Sequence, residues 1–267
     1  DIIDGTITST ITVAVDDANS DDNFDSLADQ TVSATTTDDD VPGFTIVESD
    51  GSTEVDESGT TDTFTVVLDA EPASDVVLTV TSDDTGEATV NSPLTFTSAN
   101  WDTPQTITVT GIDDDIIDGT ITSTITVAVD DANSDDNFDS LADQTVSATT
   151  TDDDVAGFTI VETDGSTEVD ESGTTDTFTI VLDTQPTSDV VLTVASESSN
   201  EATVNPSSIT FTSANWDTPQ TVTVTGADEQ IVDGDQVTAI TISVLDTASD
   251  DNFDDLVDQT VSATTTD

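Results

Sequence analysis

The sequence predicts an all-β protein composed of tandem antiparallel β-sandwich domains, each made of two sheets. Three observations favour this class: a long internal repeat, short segments rich in β-branched residues, and turn-forming residues between those segments. The chain is 33% hydrophobic and highly charged, a balance also compatible with disorder. The regular alternation of Val, Ile, Phe and Thr instead indicates ordered strands.

The internal repeat has a period of 114 residues. Residues 1–41 recur unchanged at 115–155, and Trp101 returns as Trp216 after a one-residue insertion. A third copy begins near residue 231. A period of this length is too long for one coil of a solenoid and is typical of small independent domains in a linear array.

The strand signals follow one another in the same order within each repeat. Turn residues separate them, as at 71–74, 83–86 and 118–119. About seven short strands per repeat are typical of an antiparallel sandwich. In the complete first repeat, the clearest strand-forming runs are 64–68, 76–80, 107–109, 120–129 and 145–149. The expected core residues are Phe44, Phe64, Phe96, Trp101 and Phe138.

The charge of the chain excludes several classes of function. It has 59 Asp and Glu residues and no Lys, Arg or His, which gives a net charge of −59. Without His, Cys or Lys there is no imidazole base, thiolate or amine nucleophile. Nucleic-acid binding requires Lys and Arg, and an anionic membrane would repel the chain. The remaining oxygen ligands are those of hard cations such as Ca²⁺.

An ordered series of motifs connects the repeat to a known family. The segments 54–59, 94–105, 106–115 and 149–154 combine acidic turns, strand-forming runs and a closing Asp triplet. This series resembles Calx-beta domains, in the version found in long arrays on bacterial surface adhesins. The resemblance covers essentially the whole chain and implies an immunoglobulin-like β-sandwich that binds calcium at one end. It also sets the boundaries: the last two strands of one repeat at 1–40, then repeats at 41–154 and 155–267.

The resemblance further implies which acids bind Ca²⁺. Alternating strand directions are expected to bring the implied positions to one end of each sandwich. In the complete first repeat these positions are Glu57, Asp113, Asp114, Asp115, Asp118, Asp152, Asp153 and Asp154. In the last repeat they are Glu171, Asp228, Glu229, Asp233 and Asp267, and in the partial repeat Asp1, Asp4, Asp38, Asp39 and Asp40.

A second acidic segment joins the last two strands of each repeat. Its oxygen-bearing side chains stand at alternate positions, as in a calcium loop, but it has neither the glycine at the sixth position nor the flanking helices of an EF-hand. Simple solvation of these charges is an equal alternative. The metal ligands of this loop would be Asp131, Asn133, Asp135, Asn137 and Asp139.

These features predict a structural function rather than an enzymatic one. We expect a calcium-binding spacer of a long secreted bacterial surface adhesin or extracellular filament, stiffened by Ca²⁺ at the domain ends and joints. The expected partners are neighbouring repeats, or identical chains joined in a fibre by strand donation, because residues 1–40 supply only two strands. The alternative is a module that binds glycans or ice through Thr-rich strand faces. A carboxylate pair of the glycosidase type is the one catalytic chemistry available.

Overall fold

Short β-strands account for nearly all regular structure in the computed structural model, which describes residues 2–267. The helical elements within this range are three 3-10 turns, at Asp131–Asn133, Asp246–Ala248 and Asp251–Phe253. The chain forms two compact units. The first contains the residues up to 112 together with 122–150, and the second contains 113–121 together with 151–267.

The first unit contains a separate hairpin and a two-sheet sandwich. The hairpin consists of β1 (Ile7–Val13) and β2 (Gln30–Thr36), which pair antiparallel. The sandwich strands are β3 (Phe44–Glu48), β4 (Thr53–Asp56), β5 (Thr61–Leu68), β6 (Val76–Ser82), β7 (Ala88–Val90), β8 (Leu94–Phe96), β9 (Gln105–Gly111), β10 (Ile121–Val129) and β11 (Gln144–Thr151). One sheet has the order β3-β5-β9-β7 and the other β4-β11-β10-β6-β8.

The second unit repeats the sandwich of the first. Its sheets have the orders β12-β14-β18-β16 and β13-β20-β19-β15-β17. The strands are β12 (Phe158–Glu162), β13 (Thr167–Asp170), β14 (Thr175–Leu182), β15 (Val190–Ser196), β16 (Ala202–Asn205), β17 (Ser208–Phe211), β18 (Gln220–Gly226), β19 (Gln236–Val244) and β20 (Gln259–Thr266).

Alternation along each strand builds the two cores. In β5, Phe64, Val66 and Leu68 are buried while the residues between them are partly exposed. Of the expected core aromatics, the four Phe residues are buried, and Trp101 is partly exposed and packs against the core. The predicted class, an all-β protein of immunoglobulin-like sandwiches, is confirmed.

One pairing in the second sandwich is parallel rather than antiparallel. β13 pairs with β20 in the register from Thr167↔Ala263 to Asp170↔Thr266. The cause is the turn after β12, where Gly165 has a φ of +84° and the chain moves from one sheet to the other. β13 thereby becomes the neighbour of the last strand, which runs in the same direction.

Candidate metal centre

The parallel pair β13–β20 delivers two acids to the same end of the second sandwich. Glu171 directly follows β13, and Asp267 directly follows β20. The backbone N–H of Glu171 donates to the carbonyl oxygen of Thr266, with an N···O distance of 3.1 Å. Since parallel strands end at the same edge of a sheet, the two side chains begin from neighbouring positions.

A close backbone approach brings a third acid to this end. Gly226 ends β18, and a Cβ atom at that position would lie 2.0 Å from the carbonyl oxygen of Asp170. Only glycine allows the opposite sheet to come so near to the end of β13. The chain then continues to Glu229, which lies three residues beyond this contact.

Two further acids are held here by backbone hydrogen bonds. The carbonyl oxygen of Glu201 accepts from the N–H of Ala227 at 2.8 Å and from Thr265 Oγ1 at 3.1 Å. The N–H of Gly234 donates to Asp267 Oδ2 at 3.0 Å. That bond fixes the turn in which the fifth acid, Asp233, precedes Gly234.

The carboxylates of Glu171, Glu229 and Asp233 converge. One oxygen from each lies within 4.8 Å of the other two. Calcium binds oxygen ligands at 2.3–2.6 Å, so ligands on opposite sides of one ion are about 5 Å apart. The three oxygens therefore have the spacing that a single calcium ion requires.

Two buried oxygen atoms in this region have no hydrogen-bond partner in the described part of the chain. They are Oε2 of Glu201 and Oε1 of Glu229. A buried carboxylate oxygen without a donor is costly, and this protein has no cationic side chain that could approach it. A cation with oxygen ligands fits this donor set.

The charges of the cluster act on one another. Burial raises the pKa of Glu171 above its ordinary value, and the nearby Asp267 and Glu229 carboxylates raise it further. Burial also raises the pKa of Glu229, with added repulsion from Asp233, Glu201 and Asp267. Like charges gathered in a partly buried place favour the protonated form, and a bound cation would favour the ionised form instead.

The structure brings together three of the five acids predicted in the last repeat. Glu171, Glu229 and Asp233 form the cluster, and Asp267 lies near enough to shift the pKa of both glutamates. Asp228 is exposed and belongs to no cluster of three converging carboxylates among the described residues. The assignment of these acids as metal ligands stays a prediction.

Sequence reasoning missed Glu201. The signal available was a repeated tetrapeptide, because residues 87–90 and 201–204 have the same sequence, Glu-Ala-Thr-Val. In both copies the acid directly precedes a short strand, β7 or β16. Because strands begin and end at the ends of a sandwich, an acid that precedes the same strand in both repeats is expected to lie at one of those ends.

The predicted ligands of the first complete repeat follow the ends of three strands. Glu57 follows β4 and is buried. The acids at 113–115 and Asp118 follow β9, and those at 152–154 lie beyond the end of β11. Glu57 belongs to the first compact unit, whereas residues 113–118 and 152–154 belong to the second.

The pKa of Asp154 is shifted well above its ordinary value. Burial, followed by repulsion from Asp152 and Asp115, raises the pKa of Asp154 to about 6. Its Oδ2 atom is buried and has no hydrogen-bond partner among the described residues. Asp152, in contrast, accepts from the N–H groups of Gly119 and Asp154 at 2.7 and 2.8 Å.

In the partial repeat, Asp38 organises the turn that contains Asp4. Its Oδ2 accepts from the N–H groups of Asp4 and Gly5 at 3.0 and 2.7 Å, and its Oδ1 accepts from Asp40 N–H at 2.9 Å. The Asp40 and Gly5 hydrogen bonds lower the pKa of Asp38. Asp39 is exposed, and the predicted ligand Asp1 lies outside the described residues.

The second acidic loop uses part of its predicted ligand set internally. Asp135 accepts from the backbone N–H groups of Ser74 and Asn137, and the side chain of Asn137 donates to Asp135. Asn133 donates to Asp130, while Asp131 lies in a 3-10 turn. Asp139 has a buried Oδ1 without a partner in the described range, and burial followed by repulsion from Asp131 raises its pKa. Metal binding by this loop stays a prediction.

No helix in the described residues is both long and apolar enough to span a membrane. No family model and no curated protein matches the chain. Solved structures that resemble it include CBD12 from CALX1.2, with 13% identity over 74% of this chain and 79% of that one and a TM-score of 0.28. Another is the calcium binding domain CBD12 of CALX1.1, with 14% identity, 75% and 78% coverage and a TM-score of 0.31.

Domains 4 and 5 of the S-layer protein SbsC are also similar, at 15% identity over 85% of this chain and 100% of that one, with a TM-score of 0.34. These TM-scores are all below 0.5. The fold assignment therefore rests on the strands and sheets of this chain itself.

Proposed function

We propose that this protein is a calcium-binding structural repeat, in which Ca²⁺ is held by Glu171, Glu229 and Asp233 at the end of the second sandwich. Asp267 and Glu201 complete the negative field around the ion. The observation that carries the proposal is the convergence of three carboxylate oxygens within 4.8 Å in a chain that has no cationic side chain.

The chemistry of the site favours a hard divalent cation. Every donor is an oxygen, which is the ligand type of Ca²⁺, and Ca²⁺ accepts irregular coordination more readily than Mg²⁺ does. Extracellular calcium modules typically bind with a Kd of about 10⁻⁴–10⁻³ M. We expect an affinity in that range, because the five acids come from four separate segments and all five are only partly buried or exposed.

Calcium titration by calorimetry on the whole chain tests the site. We expect Glu229→Gln to remove about one bound ion or to weaken one site by at least about ten-fold. Asp228→Asn is the matched control, because it removes the same charge from the neighbouring exposed position. Equal effects of the two substitutions would show that the ions only screen the surface charge, and would contradict the proposal.

Thermal unfolding gives a second measurement. A ligand at 10–100 times its Kd stabilises the folded state by roughly 1.4–2.7 kcal/mol. For a unit of this size that corresponds to a rise in Tm of about 5–10 °C in 10 mM CaCl₂. MgCl₂ at the same ionic strength should raise the Tm less. An unchanged Tm in CaCl₂ would contradict binding.

We further propose that the repeat is a spacer within a long secreted bacterial surface adhesin or filament, which calcium stiffens. Its support is the near identity of successive repeats, which suits a function that depends on length. Small-angle scattering with calcium and with chelator tests this part. The proposal requires a larger maximum dimension with calcium, so equal dimensions in both conditions would exclude it.

A further inference from the structure

The hairpin β1–β2 exposes side chains that the same sequence buries elsewhere. Residues 1–41 and 115–155 are identical, so β1 and β2 correspond to residues 121–127 and 144–150. Ile11 is 53% exposed, whereas its counterpart Ile125 is fully buried. The difference comes from the surroundings of the two segments, because their sequences do not differ.

The same contrast extends over the whole hairpin. Phe24 is 54% exposed and its counterpart Phe138 is fully buried. All seven residues of β1 are exposed, as are six of the seven in β2. The large apolar side chains of the hairpin that stay exposed are Ile7, Ile11, Val13, Phe24, Leu27 and Val32. An exposed apolar surface of this kind is typical of a docking site.

The surface that fits this hairpin is present in the same chain. In the first sandwich, β10 pairs with β6 in a register that sets Ile125 opposite Ser82 and Val127 opposite Val80. β11 lies between β10 and β4 in that sheet. The side chains of β10 and β11 join a core that includes Phe64. Strands β3–β9 therefore form a complementary receptor for the sequence of β1–β2.

We propose that the β1–β2 hairpin docks onto strands β3–β9 of a second copy of this chain, in the place that β10–β11 occupies there. The two hairpins make the same contacts because they have the same sequence, so the exchange changes few interactions. It joins two chains through a complete sandwich. This is strand exchange between identical elements, a low-cost route to association.

Chain connectivity sets the concentration at which exchange occurs. In the receiving chain, β10–β11 competes with the incoming hairpin for strands β3–β9. Because β10–β11 is tethered to those strands, its effective concentration is in the millimolar range. At about 10 µM, exchange should therefore involve on the order of 1% of the chains. The exchanged fraction should rise in proportion to concentration and become substantial where chains are packed densely.

Disulfide trapping tests the proposal, because the chain contains no cysteine. Thr126 pairs with Thr81, so the docked hairpin should place Thr12 opposite Thr81 of the other chain. One full-length chain carries Thr12→Cys and the other Thr81→Cys. Paired Cα atoms of neighbouring antiparallel strands lie within the range that a disulfide bridges. After incubation at about 0.1 mM and mild oxidation, we expect a mixed disulfide dimer.

The matched control replaces Thr12→Cys with Thr8→Cys on the same exposed strand. Thr8 would lie about 13 Å further along the docked strand from Thr81, beyond the reach of a disulfide. The dimer yield from Thr12→Cys should exceed that from Thr8→Cys by on the order of ten-fold. Equal yields from the two positions would overturn the proposal.

Two additional variants show whether a low yield of mixed disulfide reflects slow strand exchange or no strand exchange. Ile125→Ala in the Thr81→Cys chain weakens the competing hairpin, so the yield of mixed disulfide should increase several-fold. Ile11→Asp with Val13→Asp in the Thr12→Cys chain should reduce the yield to that of the Thr8→Cys control. An unchanged yield in either experiment would contradict docking through this apolar face.

Discussion

Residues 1–40 and 115–154 have one sequence and two environments. Both copies form a β-hairpin, which indicates that the strands and their turn are encoded locally. Only the second copy lies within a sheet of the first sandwich, and only there are hairpin side chains such as that of Ile125, the counterpart of Ile11, fully buried. The comparison teaches that strand formation and burial have separate causes. Alternation forms the strand, and the core shared with the opposite sheet, which includes Phe64, buries its inward face.

The largest effect should come from the aromatic residue shared by the two copies. Phe138→Ala should destabilise the first sandwich by about 3–5 kcal/mol, because it removes a fully buried ring and leaves a cavity. Phe24→Ala should change stability by less than about 0.5 kcal/mol. Denaturant unfolding of the full chain measures both. Equal losses would mean that Phe24 is also buried in solution.

A smaller effect on thermal stability should distinguish the Asp triplet at 152–154 from the identical triplet at 38–40. The pKa of Asp154, about 6, is above its ordinary value of 3.8, so the folded state holds the proton more tightly than the unfolded state does. The associated stabilisation is complete below pH 3.8 and is lost as the pH rises through 6. In chelator, Asp154→Asn should therefore raise the Tm by a few degrees at pH 7.5 and have little effect near pH 4.

Asp38→Asn, in the other triplet, should give no such gain, because hydrogen bonds lower the pKa of Asp38 and favour its charged form. Differential scanning calorimetry at the two pH values checks both variants. A gain from Asp154→Asn that is the same at pH 4 and pH 7.5 would mean that repulsion at Asp154 is not its source.

The smallest effect on stability should come from a serine that occurs in both copies, as Ser9 in the first and Ser123 in the second. Ser123 is buried, and its hydroxyl has no hydrogen-bond partner in the described part of the chain. Ser123→Ala should stabilise the first sandwich by about 0.5 kcal/mol, because it removes an unsatisfied polar group. Ser9→Ala, at the exposed counterpart, should have no measurable effect. Destabilisation by Ser123→Ala in chemical unfolding would indicate an ordered water at the hydroxyl.

Much of the fold could be predicted because its signals are local. The expected runs 64–68, 76–80 and 107–109 lie inside β5, β6 and β9, and four of the five predicted core aromatics are buried. Trp101 is the exception, since an indole ring at the edge of a sandwich is large enough to cover the core without entering it. The parallel pairing of β13 with β20 was not predicted, because it depends on a change of sheet at one turn.

The metal centre could be predicted less completely than the strands. Acids that directly follow strands, such as Glu171, stand out in the sequence. Asp228 and Glu229 are adjacent and chemically alike, and only the path of the chain after Gly226 determines which one points into the cluster. Glu201 lies on a separate segment about 30 residues from either of its neighbours, so its proximity depends on the closed sandwich.

The parallel contact between β13 and β20 also determines how the second sandwich responds to mechanical tension. Pulling on the segments that precede β13 and follow β20 draws the two strands in opposite directions along their length. The hydrogen bonds from Thr167↔Ala263 to Asp170↔Thr266 are then loaded in shear and must break together, instead of opening one after another. This short strand pairing should therefore make the second sandwich resist unfolding under force.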